Sequence, residues 1–84
     1  MTVRIIVDGT GARRLVRVEG RLTAEQVPEL EGALGDDLDH ASLDLQHLRS
    51  VDRGGLAALR RLRGAGVALR AVPPRIAYAI EDER

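Results

Sequence analysis

The chain has 84 residues, of which 44% are hydrophobic and 31% charged, a composition typical of one globular domain, which we expect to span residues 1–84. Its 13 basic and 13 acidic side chains cancel, so no overall field would attract nucleic acid, and no apolar run reaches the roughly 20 residues of a membrane span. The absence of cysteine excludes disulfides, thiolate catalysis and cysteine-ligated zinc, and two histidines, His40 and His47, are too few for a closed metal site.

The first two predicted elements are strands that form a hairpin. The runs "VRIIV" at 3–7 and "RRLVRVEG" at 13–20 are rich in β-branched residues, and "DGTGA" at 8–12 separates them with an Asp-Gly pair typical of a tight turn. The second run alternates, so that Val16 and Val18 share one face. We therefore expect one face of this strand to be buried and the other to be exposed.

A helix is predicted to follow the hairpin. Thr23 precedes Gln26 by three residues, which is the spacing of a capping box. Pro28 is tolerated near a first turn, where a missing N–H costs little, and Gly35 ends the helix. The apolar residues between them form one stripe at helical spacing: Val27, Leu30 and Leu34.

The second half of the chain predicts two further strands, each followed by a helix. The strands are "ASLDLQHL" at 41–48 and "VALRAV" at 67–72. The first of the two helices has a basic outer face, and the prolines of "PPRIAYAIEDER" at 73–84 begin the second. The residues predicted to be buried in these helices are Leu56, Leu59 and Leu62, and then Ile76, Ala77 and Ile80.

The order of these elements predicts an α/β fold. Helices between the later strands act as crossovers, so those strands should be parallel, which gives a small mixed β-sheet of about four strands with helices mainly on one face. Charge is divided along the chain, since 19–47 contains eight acids and one arginine, whereas 48–75 contains seven arginines and one acid. We expect these segments to neutralise each other in the fold, with a cationic binding patch as the alternative.

The segment "LDLQHLRSVDRGGLAAL" at 43–59 resembles the STAS domain, the fold of bacterial anti-sigma factor antagonists and of accessory modules in some membrane transporters. The segments "VEGRLT" at 18–23 and "VALRAVPPRI" at 67–76 fit the same family in the same order. The resemblance covers nearly the whole chain. It implies a domain that binds a protein partner.

The resemblance also assigns positions at the start of the second helix. In the family an Asp precedes the serine or threonine that a partner kinase phosphorylates. Asp52 matches this Asp, Arg53 stands at the phosphoacceptor position, Gly54 at the small polar residue after it, and Gly55 at the family Gly. Because arginine has no hydroxyl, the phosphorylation switch should be absent at this site. Ser50 receives little weight as a relocated acceptor.

Asp52 is a good N-cap for the second helix, because its carboxylate can accept hydrogen bonds from backbone N–H groups of the first turn. Arg53 is then an unexpected residue in that turn, because the helix dipole disfavours a cation there. In one interpretation its side chain extends into water, or pairs with Asp52 or with a carboxylate of the acidic first helix. In the other it presents a cationic face to an acidic partner. The two glycines would let a partner backbone approach closely. The candidate partner-binding residues are Asp52, Arg53, Gly54, Gly55, Ala57, Arg60 and Arg61.

The sequence therefore predicts a cytoplasmic, non-catalytic protein-interaction module that resembles anti-sigma factor antagonists and is not switched by phosphorylation at Arg53. Its partner would be an anti-sigma factor or kinase-like protein. The alternative is an accessory STAS subunit of a membrane ABC transporter complex of the phospholipid-transport type. No nucleophile elbow surrounds the hydroxyl residues and no P-loop lysine is present, so we expect neither catalysis nor a cofactor.

The sequence also bears on binding to nucleic acid, to membranes and to a second copy of the chain. Nucleic-acid binding by the basic helix is disfavoured by the net charge of zero and by the lack of aromatic stacking residues. Direct membrane insertion is not expected. A homodimer would follow if a weakly packed last helix exposed Ile76 or Ile80.

Overall fold

The computed structural model describes residues 3–8 and 14–81, which form one mixed sheet with helices packed against it. The described strands are β1 (Val3–Asp8), β2 (Arg14–Leu22), β3 (Ala41–Asp44), β4 (Leu48–Val51) and β5 (Ala68–Arg70). The described α-helices are α1 (Val27–Leu34), α2 (Arg53–Gly64) and α3 (Pro74–Glu81), and short 3₁₀ turns lie at Ala24–Gln26 and Leu38–His40.

The sheet has the mixed topology that the element order predicts. Strand β1 pairs with β2 in antiparallel fashion, whereas β2 pairs with both β3 and β4 in parallel, and β3 pairs with β5 in parallel. Val16 lies opposite Leu43 and Leu22 opposite Val51, so β2 spans the length of β3 and β4 together. Most of the predicted hairpin turn lies at 9–13, outside the described residues.

The strand predicted at 41–48 is not continuous, so the described sheet has five segments rather than about four. It breaks after Asp44, whose carboxylate accepts a hydrogen bond from the backbone N–H of Gln46 at 3.0 Å. Leu48 N–H then donates to the Leu45 carbonyl at 3.0 Å. An aspartate side chain that accepts a hydrogen bond from the backbone N–H two residues ahead favours a turn over continued pairing with the neighbouring strand, which explains the break. Pairing with β2 resumes at Leu48, opposite Gly20, and the register then shifts between Gly20 and Arg21.

The core lies on the face of the sheet that the helices cover. Val16, Val18 and Leu43 are fully buried there. They belong to one cluster with residues from all three helices, namely Leu30, Leu34, Leu59, Leu62, Ile76 and Ile80. On the opposite face Arg17 and Asp44 are half-buried and form an ion pair at 3.7 Å. The predicted alternation in β2 and the placement of helices mainly on one face are confirmed.

The last strand and helix differ from the prediction in two details. Strand β5 ends at Arg70 because the next residue, Ala71, has a φ of +54°, which lies outside the extended region. Ile76 and Ile80 are only 6% and 2% exposed. Both side chains are held in the core, so the condition for a homodimer through an exposed Ile76 or Ile80 is not met. Dimerisation itself stays a prediction.

Candidate functional site

The site predicted from the sequence lies where β4 passes into α2, and the Asp52 carboxylate organises this junction. One oxygen accepts a hydrogen bond from the backbone N–H of Gly55 at 2.7 Å, so Asp52 is the N-cap of α2, as predicted. The other accepts from the backbone N–H of Ala24 at 3.2 Å. The backbone N–H of Asp52 donates to the Leu22 carbonyl at 3.1 Å. One residue thus holds the end of β2, the turn before α1 and the start of α2 together.

These contacts lower the pKa of the Asp52 carboxyl. The largest cause is the hydrogen bond from the Gly55 N–H, and the Ala24 N–H and the positive charge of Arg21 act in the same direction. Partial desolvation of the carboxylate opposes them. Asp52 is therefore ionised at neutral pH and remains an effective cap.

The two glycines after Arg53 are required by packing within the chain. A Cβ built on Gly54 would lie closer than 3.0 Å to the Cβ of Ala24, and one on Gly55 closer than 3.0 Å to the carbonyl oxygen of Leu22. Gly55 is buried, so no partner backbone reaches it. The structure thus gives both glycines a function in internal packing. Approach of a partner backbone to the half-buried Gly54 stays a prediction.

Arg53 is exposed at the start of α2 and has no described carboxylate within ion-pair distance. It does not pair with Asp52 or with the acidic residues of α1, so that part of the first interpretation is excluded. A side chain that extends into water and one that faces an acidic partner both agree with its exposure. Ala57 and Arg61 follow at intervals of four residues and are also exposed. Because residues four apart are neighbours on a helix surface, these three form a continuous exposed strip along α2.

The other two arginines predicted at this site contact residues of other helices in the same chain. Arg60 donates to the carbonyls of Ala79 at 2.5 Å and Ile80 at 3.3 Å, which places its charge at the C-terminal end of α3. Arg61 forms an ion pair with Glu31 of α1 at 2.7 Å. Arg60 therefore joins α2 to α3, away from the exposed strip, whereas Arg61 lies on the strip with its charge partly satisfied.

The acidic and basic segments neutralise each other only in part. Among the described ion pairs, only Arg61–Glu31 joins the acidic segment to the basic segment. The pairs Arg17–Asp44 and Arg63–Glu81 each contain one residue, Arg17 or Glu81, that lies outside both segments. Apart from Arg60, which binds carbonyls of α3, the following arginines of the two segments have no described carboxylate within 4.0 Å: Arg21, Arg49, Arg53, Arg70 and Arg75. Four of these five belong to the basic segment, so that segment retains net positive charge at its surface.

Sequence reasoning did not include Arg21 or Arg75 in the site. Arg21 lies in the acidic segment, but β2 pairs with β4 so that Arg21 is opposite Ser50. Arg75 is the second residue of α3 and lines a cavity together with Arg49 of β4. Segment composition indicated the excess of arginine, but the pairing of distant strands was needed to show which arginines lie together.

The described residues contain neither a cluster of metal ligands nor a membrane-spanning helix. No group of three or more His, Asp or Glu side chains there could hold a metal ion. None of the helices in 3–8 and 14–81 is long and apolar enough to span a membrane.

Comparison with known proteins identifies one family and one fold. A family model described as "Mlab, STAS domain" matches residues 5–81. The chain is similar in structure to an antisigma-factor antagonist STAS domain from Rhodobacter sphaeroides, with 22% identity, a TM-score of 0.59, and coverage of 89% of this chain and 90% of that one. It is also similar to an uncharacterised protein with a SpoIIAA-like fold from Shewanella loihica, with 17% identity, a TM-score of 0.54, and coverage of 80% and 64%. No curated protein sequence matches the chain.

The close approach at Gly55 predicts opposite effects for two glycine substitutions. Gly55→Ala should lower the free energy of unfolding by about 1–3 kcal/mol, because the added methyl group meets the Leu22 carbonyl oxygen. Gly32→Ala in α1 is the matched control and should raise it by about 0.5–1 kcal/mol, because that position is open and alanine favours a helix. Urea unfolding followed by circular dichroism measures both. Stabilisation by Gly55→Ala would contradict the packing argument.

The lowered pKa of Asp52 predicts how its contribution to stability varies with pH. Because the folded-state pKa lies below the unfolded value of about 3.9, the stabilisation is complete above that value and is lost as the pH falls through the folded pKa. Asp52→Ala should therefore be less stable than the wild type by a constant amount between about pH 7 and 5, and the difference should shrink below about pH 3.9.

Urea midpoints measured across this pH range test the prediction. The matched control is Asp36→Ala, at an exposed carboxylate, which should leave stability nearly unchanged at each pH. A deficit of Asp52→Ala that is undiminished at about pH 3 would show that the ionised carboxylate is not what stabilises the junction.

Proposed function

The chain belongs to the STAS domain family, and we propose that it is a non-catalytic protein-interaction module whose partner binds the exposed strip on α2 formed by Arg53, Ala57 and Arg61. The partner class is a protein with an acidic surface, of the anti-sigma factor or kinase-like type. The solved antisigma-factor antagonist domain with the same fold supports this class, and the chemistry of the strip supports the acidic surface.

The exposure of Arg53 is the observation that carries the proposal. A cation in the first turn of a helix is disfavoured by about 0.3–1 kcal/mol at an exposed site. No described carboxylate within 4.0 Å compensates Arg53. Its guanidinium is therefore available for bidentate contact with a partner carboxylate, an interaction that would offset the unfavourable position.

The rest of the strip suits a helix or loop laid against α2. Ala57 is small and exposed, so it leaves a shallow region between the two arginines in which a partner side chain can lie. Arg61 and Glu31 form an exposed ion pair at the far end. Exposed pairs of this kind contribute little to stability, so Arg61 can exchange Glu31 for a partner carboxylate at low cost.

The binding we propose is not controlled by phosphorylation at the family position. Arg53 and Gly54 have no hydroxyl groups, so neither can accept a phosphoryl group. Ser50 lies within β4 and is half-buried, opposite Arg21 of β2. We also propose no catalytic role, since the side chains of the strip provide neither a nucleophile nor a general base.

A permanent complex is a second version of the same proposal. A regulator that must release its partner needs a switch, whereas an accessory subunit of a membrane ABC transporter complex can stay bound. The replacement of the hydroxyl residue by Arg53 weakens the switched regulator, because the family's phosphorylation site is missing, and it is compatible with a permanent subunit. In this version the same strip binds the transporter on its cytosolic side. In both versions the chain is a cytoplasmic protein.

The experiment is affinity capture from native extract with the wild type, Arg53→Glu and a matched control, Arg70→Glu, each with and without ATP. Arg70 is exposed on β5 and also has no described carboxylate partner. We expect wild type and Arg70→Glu to retain the same partner regardless of ATP. Arg53→Glu should weaken it by about tenfold or more, because like charges would face each other. Equal retention by Arg53→Glu, or loss of the wild-type complex with ATP, would contradict the proposal.

The location of the captured partner separates the two versions. The same capture is performed on the cytosolic fraction and on membranes solubilised in a mild detergent, with identification by mass spectrometry. A cytosolic kinase-like protein that depends on Arg53 supports the regulator. A membrane-associated ATPase or permease that depends on Arg53 supports the transporter subunit.

A further inference from the structure

Strand β4 forms part of the sheet edge. It pairs with β2 on one side, and no other strand in the described part of the chain pairs with it. Strand β5 borders β3 but does not extend along β4, because it ends at Arg70, opposite Asp44. The main-chain groups on the outer side of β4 are therefore not used by the sheet. An edge of this kind can accept a further strand.

A groove runs along this open edge, between β4 and the N-terminal half of α3. Its volume is about 200 Å³. Three residues of the strand and three of the helix line it: Arg49, Ser50 and Val51 of β4, and Arg75, Ile76 and Ala79 of α3. The lining is therefore partly apolar, and β4 and α3 each contribute one arginine.

The described residues of the groove carry positive charge. Neither Arg49 nor Arg75 has a described carboxylate within 4.0 Å, and both side chains are exposed. None of the described residues that line the groove is acidic. Two unpaired guanidinium groups facing one channel favour an occupant with carboxylates.

The exposed aromatic residue of the chain lies beside the same groove. Tyr78, three residues after Arg75 on α3, is 77% exposed although it is the only aromatic residue in the sequence. Residues three apart lie close together on a helix surface, so Tyr78 and Arg75 form adjacent parts of one face. Tyrosine and arginine are enriched where protein interfaces gain most of their binding energy.

We propose that an extended, acidic segment of a partner protein binds in this groove as an additional strand against β4. Its main chain would hydrogen-bond to the open edge, and carboxylates on alternate residues would pair with Arg49 and Arg75. Its apolar residues would face Val51 and Ile76. Since β4 has four residues, a segment of four to six residues fills the edge, or about 13–20 Å of extended chain.

This occupant explains the groove better than a small anion does. A free phosphate would use the arginines but would leave the strand edge and the apolar floor unused. An extended peptide uses all three features, and its alternating side chains match a groove that is apolar on one side and charged at its rims. The groove is separate from the strip on α2, so the two proposals can fail independently.

The test uses a fluorescein-labelled eight-residue peptide with blocked ends, in which Glu alternates with Val or Thr. Three forms are compared: this acidic peptide, the same peptide with Lys in place of Glu, and the acidic peptide N-methylated at alternate amides. Affinity is measured by fluorescence anisotropy with the whole chain. The binding site is located by the amide shifts of the ¹⁵N-labelled chain.

We expect the acidic peptide to bind, with the largest shifts in 49–51 and 75–79, and the Lys and N-methylated forms to bind at least about tenfold more weakly. The double variant Arg49→Glu, Arg75→Glu should weaken the acidic peptide by a similar factor. Arg4→Glu, Arg70→Glu is the matched control, because it reverses two exposed arginines elsewhere on the sheet and should bind normally. The neutral pair Arg49→Gln, Arg75→Gln should have an intermediate effect.

Four results would overturn the proposal. Equal binding of the N-methylated peptide would show charge attraction without strand addition. Equal loss in both double variants would show attraction to net charge only. Absence of binding by the acidic peptide would show that an acidic strand is not the occupant of the groove. Shifts centred on 53–61 would assign the peptide to the α2 strip, whereas normal binding by Arg53→Glu keeps the two surfaces distinct.

Discussion

The Asp52 carboxylate joins the first turn of α2 to the turn before α1, while its backbone N–H is bonded to the end of β2. These contacts fix where α2 begins and how closely it approaches the sheet. The glycines at 54 and 55 follow from that approach, because the helix start lies against Ala24 and the Leu22 carbonyl. Arg53 is then directed outward because the inner side of the turn is already filled. The exposed position of the cation is a consequence of the cap.

Much of the fold could be predicted because its signals are local. The Thr23–Gln26 spacing, the alternation of Val16 and Val18 and the N-cap Asp52 each depend on neighbouring residues, and each has the predicted role. The break after Asp44 was missed because a side-chain bond to Gln46 outweighs a hydrophobic alternation that continues through Leu45. Two features could not be predicted from short sequence patterns, because they join residues 19 to 26 positions apart. They are the hydrogen bonds of Arg60 to α3 and the groove between Arg49 and Arg75.

The distribution of charge connects the two proposed surfaces. The molecule has no net charge, yet its ion pairs use arginines of α2 and β2 and leave those around β4 and the starts of α2 and α3 without described partners. A neutral protein can therefore present a locally positive end. Attraction of acidic partners at this end would be strong at short range and would weaken with salt, without the long-range attraction that a basic protein exerts on nucleic acid.

The aliphatic core has a practical consequence for spectroscopy. Tyr78 is the only aromatic side chain of the chain, and it stands in solvent on α3 while leucine, valine, isoleucine and alanine fill the interior. Ultraviolet absorbance and intrinsic fluorescence therefore come from one chromophore outside the core. They will report poorly on the loss of core packing during denaturation, but they will respond directly to anything that covers the outer surface of α3. The molecule thus carries a natural optical probe at the rim of its β4 groove.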